Sequence, residues 1–450
     1  MTMKISENRL GSMPIKELLL KTSLPLILSL LIQVLYGLVD SLYVAHISNE
    51  ALTAISLCTP VQYLITGIGA GIGVGTNALL SRQLGADSKS MISKVIGNGL
   101  LLVWLASVVM LVVGSICILP FFRCQTDIPN IVSMCNSYSR ILCVAALASF
   151  HQVFFERLLS STGKTNLTML SMMIGTIVNI ILDPIMIFGW LGVPAMGMAG
   201  AAYATVIAQV IACFVGLYLN VSRNKKLKFE VSELKFDIKL IKEILNIGIP
   251  VTITNCMISI LTFGMNNILL PLSVVAPAVY IACIRLQSFA IMPANGISDA
   301  NVSIIAYNLG AGNNKRIKET LKVGISADII VSIIVTVIFL AIPKQLLQLF
   351  NASEEMIRIG IPALRIIGLG IPFLGISNIL RGCLQALGRG KESFLLSIAQ
   401  AVLLIGGAWI FAQTGKITFV WISFPLMELL RAILASVFVQ HSLKEVFTKK

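Results

Sequence analysis

The stretch SRQLGA at residues 81–86 returns as AYNLGA at 306–311, 225 positions further on, in a chain of 450 residues. The same offset lays Leu24-Pro25 on Ile249-Pro250, Gln62 on Gln287, Arg140 on Arg365 and Gly163-Lys164 on Gly388-Arg389. One constant shift through five separated landmarks means two copies of one unit with almost no net insertion.

Hydrophobic residues make up 56% of the chain and charged ones 12%, roughly half the ~25% charged content of a soluble domain. No soluble core uses that much apolar surface, so lipid is the solvent for most side chains. The formal net charge is +14. The basic residues nevertheless lie between apolar segments rather than in a stripe with interleaved aromatics, so no nucleic-acid partner is expected. Nine cysteines are scattered without a CxxC pair, and three histidines offer no zinc spacing, so no metal site is expected. The cysteines read as small core residues, with Cys124 and Cys135 flanking an outer loop where a disulfide is conceivable. Glu7 and Glu17 stand in an N-terminal stretch that has no short apolar core and cleavage site, so no cleaved signal peptide is expected.

Apolar runs long enough for the ~30 Å hydrocarbon layer lie at about 22–46, 52–80, 95–121, 132–158, 166–190 and 196–221 in the first copy. The second copy has them at about 247–272, 276–307, 322–346, 357–385, 392–413 and 418–440. The polar stretch 222–246, with seven Lys and Arg, reads as a cytoplasmic linker carrying an amphipathic surface helix. It divides the chain into an N-lobe, 1–221, and a C-lobe, 247–450. Lys and Arg crowd one set of loops, from Arg82, Lys89 and Lys94 to Arg389 and Lys391, while the alternate set holds little beyond Arg123, Lys344, Arg358 and Lys416. That asymmetry places both termini in the cytoplasm of a plasma-membrane protein. An even number of spans per copy makes the repeats parallel. The expected fold is an all-α integral membrane protein of twelve transmembrane helices in two six-helix repeats. Such halves usually enclose a solute path.

A charge at bilayer depth is costly, so an acid inside a span is a functional candidate. Asp40 lies near the outer end of the first span and Asp183 near that of the fifth, with Asn179 one helical turn before Asp183 on the same face. Pro184 is expected to break or kink that helix. Thr205 sits about nine residues from the outer end of the sixth span, which puts Asp40, Asn179, Asp183 and Thr205 at similar depth. Gln33 and Tyr36 share the helical face of Asp40. Two carboxylates with amide and hydroxyl oxygens suit a shared proton or Na⁺. The second copy has Met265 and Ala408 where the first has Asp40 and Asp183. A packing role would be expected to survive in both copies, whereas ion coupling needs one site. Apolar surroundings favour the neutral carboxyl, which argues for H⁺ over Na⁺.

Asp299, whose counterpart is Val74, stands shortly after Asn295-Gly296 and either attracts a cationic solute or caps an unwound turn. Asp328 is expected to face water near the cytoplasmic end of the ninth span. Glu428 and Arg431, three apart, should pair, and Arg140 and Arg365 read as structural residues of the repeat. Candidate cargo contacts are Gln33, Tyr36, Gln62, Arg285, Gln287 and Asp299. With no DDxxD, HExxH or GxSxG, nothing supplies a nucleophile or a catalytic metal, so the chain is not expected to be an enzyme or to need a cofactor.

The run from Pro25 to Asp40, the two LGA segments, NIILDPIMIFG at 179–189 and GMAGAAYATVIAQ at 197–209 resemble the multidrug and toxic compound extrusion (MATE) family. The resemblance covers essentially the whole chain, and NxxxDP followed by GAAxAT is specific in combination. It implies a V-shaped transporter of two six-helix lobes, a monomer in the lipid bilayer, exporting cationic amphipathic compounds in exchange for H⁺ or Na⁺. It also implies an N-lobe ion site at Asp40, Asn179, Asp183 and Thr205. Some members couple Na⁺ through acids in the seventh and tenth helices. Those spans hold no Asp or Glu here, so coupling is expected in the N-lobe. The acid at 299 is similar to one in members that resemble Gram-positive multidrug exporters. The alternative within the same superfamily is a flippase for lipid-linked oligosaccharide. Those proteins line their cavity with several basic residues, where this chain offers mainly acids and Arg285.

Overall fold

Long apolar runs joined by short polar ones leave a backbone in lipid few ways to satisfy its own hydrogen bonds, and the α-helix is the local one. The computed structural model describes residues 9–227, 236–350 and 353–448, and among them it contains helices and connecting turns but no strand. The first copy holds α1 (Arg9–Ser12), α2 (Ile15–Ala45), α3 (Asn49–Gly85), α4 (Lys89–Ile116), α5 (Ile118–Arg123), α6 (Pro129–Val144), α7 (Ala146–Ser161), α8 (Thr165–Phe188) and α9 (Gly197–Arg223). The second holds α10 (Ile238–Leu269), α11 (Ala276–Gly310), α12 (Asn314–Ala341), α13 (Pro343–Gln348), α14 (Glu354–Gly368), α15 (Ile371–Ala386), α16 (Gly390–Ala412) and α17 (Ile417–Thr448).

Ten of these helices are long and apolar enough to cross a membrane, and the bent pairs α6–α7 and α14–α15 bring the number to twelve if each pair is one span. The pairs occupy the same place in the repeat and bend by 49° and 45°. The break is therefore a property of the repeated unit. The exposed side chains suit lipid as the solvent. Leu105, Val108 and Val112 on α4, and Ile330, Ile334 and Val337 on α12, point outward, each half or more exposed.

The chain forms two compact units, one of Met1–Leu10 and Leu28–Cys256, the other of Gly11–Ile27 and Met257–Lys450. Each has its own apolar core. In unit 1 it gathers Phe122, Tyr138, Phe150 and Phe154 with Ile244 of α10, and in unit 2 it gathers Tyr280, Phe339, Trp421 and Phe424.

Several sequence expectations change. The last part of the expected linker, from Ile238 on, is the start of the long helix α10. Asp237 caps it, its Oδ1 accepting from the Lys239 N–H at 2.9 Å. Residues 228–235 of the linker, with Lys228 and Lys235, lie outside the described residues. Helix α8 is not broken at Pro184, and it ends at Gly189 in the left-handed region at φ 80°. Asn295-Gly296 lies within continuous helix α11, so Asp299 caps no unwound turn. Asp328 is buried in the middle of α12 instead of facing water, because that helix begins eight residues earlier than its apolar run. All nine cysteines are free, with Cys124 exposed while Cys135 is buried against the Ala54 carbonyl.

Candidate functional site

Helices α8 and α9 pack along a stripe of small residues. Gly200 of α9 comes so close to α8 that a Cβ there would lie 2.4 Å from the Met186 carbonyl oxygen. Gly175 of α8 faces Ala212 in the same way, and Ser171 Oγ donates to the Ala212 carbonyl at 3.1 Å. Larger side chains would hold the helices apart, so the GxxGAAxAT pattern in α9 makes the contact possible. At the other end of the hairpin, Lys164 Nζ donates to the Arg223 carbonyl, one of the last in α9. Partial burial, and then the nearby charge of Lys225, push the Lys164 ammonium below the usual lysine range.

This close approach assembles the polar cluster. Asn179 Nδ2 donates to Asp183 Oδ1 at 3.2 Å, one turn along α8, and to Thr205 Oγ1 of α9 at 3.4 Å. Asn179 is 2% exposed and Asp183 is fully buried. The Asn179 carbonyl oxygen, Oδ1, is buried with no hydrogen-bond partner among the described residues. Pro184 has no N–H for the Ile180 carbonyl one turn back. The cluster therefore offers carboxylate, amide and hydroxyl oxygens in a buried setting, the donor set that a proton or a small hard cation requires. Asp40 lies on α2, and its side chain, like that of Tyr36, lies outside the described residues.

The remaining candidates lie in different surroundings. Gln33 is exposed on α2. Gln62 Nε2 donates to the buried Tyr138 hydroxyl at 2.6 Å, which ties α3 to α6. Arg285 is exposed on α11, and Gln287 and Asp299 are half-buried there. Asp299 is not the isolated charge its sequence neighbours suggest, because Arg381 of α15 acts on it electrostatically. Glu428 and Arg431 pair as expected, 2.8 Å apart and buried. Arg365 Nε donates to the Leu340 carbonyl at 3.2 Å, and Arg140 is exposed.

Sequence reasoning passed over two ionisable residues inside apolar runs, buried Glu156 and half-buried Arg381, and placed a third, Asp328, in water. Glu156 on α7 is 6% exposed and accepts from Gln152 Nε2 at 3.1 Å. It lies one offset of 225 from Arg381, so the repeat carries an acid in one copy and a base in the other. Glu156 is also remote from Asp183. Its carbonyl accepts from Thr168 of α8, and fifteen residues of helix from there to Asp183 span ~22 Å. The signal that would have found all three is a charge inside an apolar run.

Comparison with known proteins gives the same repeat. The MatE family profile matches residues 25–185 and again residues 250–410, the second match displaced by the same 225 positions. The chain is 29% identical over 435 residues to the multidrug export protein MepA of Staphylococcus haemolyticus, covering 95% of this chain and 93% of that one. It is 27% identical over 408 residues to the probable multidrug resistance protein YoeA of Bacillus subtilis, covering 89% and 88%. A solved structure described as the outward-facing conformation of a multidrug resistance MATE family transporter of the MOP superfamily superposes with a TM-score of 0.92 at 25% identity, over 99% of each chain. With twelve spans when each bent pair counts as one, a profile matched once per repeat and a fold shared over its full length, this chain belongs to the MATE family of multi-pass membrane transporters, which are not enzymes.

Proposed function

We propose that this protein is a secondary active multidrug exporter that exchanges organic cations and cationic amphipaths for H⁺ across the plasma membrane. The observation that carries the reading is the buried cluster of Asn179, Asp183 and Thr205, confined to one copy of the repeat. A fully buried acid in a membrane interior, held by an amide donor, exists cheaply as the neutral acid or with a bound cation. A group of that kind can take up an ion on one side and release it on the other. Asp40 joins the cluster in this reading as the second carboxylate. H⁺ is favoured over Na⁺ because Asp183 is fully buried in an apolar helix pair, and apolar surroundings favour the neutral carboxyl. The names of the relatives support export of many compounds.

Residues 1–221 and 247–450 act as N- and C-lobes joined by a cytoplasmic linker, with both termini in the cytoplasm and the protein working as a monomer. Cargo meets Gln33, Tyr36, Arg285, Gln287 and Asp299, with Gln62 acting through its hold on Tyr138. The test is purified protein in liposomes with each gradient imposed alone and an ethidium-like cation as cargo. Export driven by a pH jump without Na⁺ is expected. Export that needs Na⁺ and ignores the pH gradient would overturn H⁺ as the coupling ion.

A further inference from the structure

One face of α12 carries a small or polar residue on each of five turns: Thr320, Gly324, Asp328, Ser332 and Thr336. Spacing by four keeps them on one side of the helix. Thr320, Gly324, Asp328 and Ser332 are buried in unit 2, and the apolar residues of the opposite face point outward. The polar face lies on the bent pair α14–α15. Thr336 Oγ1 donates at 3.0 Å to the carbonyl of Gly368, the last residue of α14, where the span turns by 45°. Two turns away along α12, Asp328 lies against the first part of α15. A Cβ at Gly375 would sit 2.2 Å from Asp328 Oδ2 and 2.5 Å from Oδ1, so only glycine leaves room for the carboxyl.

The carboxyl has little else. Ser332 Oγ donates to Oδ1 at 3.5 Å, and Oδ2 is buried with no hydrogen-bond partner among the described residues. Two of the arginines on the neighbouring helices have other partners. Arg381 of α15 acts on Asp299 of α11 and on Arg431, Arg365 of α14 holds the Leu340 carbonyl, and Arg285 of α11 is exposed, while burial and Ser332 are what act on Asp328. The repeat supplies a control. In unit 1 the positions of Asp328 and Gly375 are Val103 and Phe150, both buried, and the span there bends by 49° with no acid at the position of Asp328. The bend does not need the carboxyl.

We propose that Asp328 is a second proton-binding site of this protein, which clamps α12 onto the broken span while neutral and loosens that contact when its proton leaves. A neutral acid fits the Gly375 notch, whereas a carboxylate there has one hydroxyl for company and must draw in water or part the helices. A metal ion is the weaker occupant, since hard cations gather several oxygens and this notch offers the carboxyl and Ser332. The site's part in transport rests on the H⁺-exchange reading above, but its protonation does not, and the two are measured separately.

Infrared difference spectra of the purified full-length protein test the protonation. Wild type is expected to show the carbonyl-stretch band of a buried neutral acid that Asp328→Asn removes, with folding and thermal stability kept because the amide matches the neutral acid in shape. Gly375→Ala crowds the carboxyl and should shift the band, which serves if the Asn variant does not fold. In liposomes, Asp328→Asn is expected to lower the pH-driven export rate by about tenfold or more and to flatten its pH profile. A spectrum in which neither variant alters a carboxylic-acid band overturns the site. A band lost with rate and pH profile unchanged overturns the clamp and leaves a structural acid. If wild type proves to be driven by Na⁺ alone, the H⁺-exchange reading fails while the band still decides the protonation of Asp328.

Discussion

The hairpins α8–α9 and α16–α17 are the same element of the repeat with opposite contents. In unit 1 the hairpin holds Asn179, Asp183 and Thr205; the same positions in unit 2 are Leu404, Ala408 and Leu430. In unit 2 it is α17 that holds Glu428 and Arg431, where α9 has Tyr203 and Val206. The end of each hairpin is stitched by the shared basic landmark, Lys164 on the Arg223 carbonyl in one and Arg389 on Glu445 in the other. Scaffold features thus occur in both copies, and the buried polar clusters occur in one. The two clusters also differ in kind. Glu428 has a cationic side chain within salt-bridge distance, whereas the hydrogen bonds of the unit 1 cluster run among an amide, a hydroxyl and a carboxyl.

The sharpest way to break this comparison is to remove the acid from the cluster in unit 1. Asp183→Asn is expected to abolish gradient-driven export, measured with an ethidium-like cation in liposomes, while expression and melting temperature stay near wild type. Asp40→Asn should behave alike, because two interacting acids titrate together. Wild-type export by Asp183→Asn would show that the cluster in unit 1 is as structural as the pair in unit 2.

The pair in unit 2 should respond in the opposite way. Arg431→Met leaves Glu428 buried without its partner and is expected to destabilise the protein by about 3–5 kcal/mol, while the double change with Glu428→Gln recovers most of that. Thermal melts in detergent measure both. A single variant as stable as wild type would mean that the pair contributes little to unit 2.

A smaller effect is expected at Asp299. Since Arg381 acts on it, Asp299→Ala should weaken dicationic cargo more than monocationic cargo by about 1–3 kcal/mol, the scale of a charged contact. Equal loss for neutral, singly and doubly charged cargo would assign Asp299 to the Arg381 network alone. Smallest is Gln62→Leu, which removes the hydrogen bond to Tyr138 and should cost about 1 kcal/mol in stability with a modest change in cargo affinity. A change in affinity without a change in melting temperature would make Gln62 a direct contact.

Much of the molecule was legible in its sequence for two physical reasons. Lipid demands apolar runs of a set length, so span number and order follow from composition along the chain. Duplication then turns the chain into its own control, which is how Asp183 stood out from Arg140 and Arg365 before any coordinates. Asn179, Asp183 and Thr205 were found because a helical turn and a depth are both one-dimensional quantities. Asp328 was misplaced because hydropathy marks where a helix meets lipid, and α12 continues eight residues beyond that point toward its N-terminus. Its polar face, repeating every fourth residue, was hidden among lipid-facing Ile and Val.

By itself, then, the sequence determined that this is a helical membrane protein of two repeats, and that three polar residues share a depth in the first of them. Tertiary structure alone decided what charges far apart in the sequence meet. Arg381 acts on Asp299 and Asp328 meets a glycine, whereas the Glu428–Arg431 pair already followed from a spacing of three. It also decided that α8 runs through Pro184, since one missing N–H does not break a helix held by close packing along α9. The reason is the same throughout. Local sequence sets how far along a helix a residue lies, but only the neighbouring helices supply, or withhold, the partner that a buried charge needs.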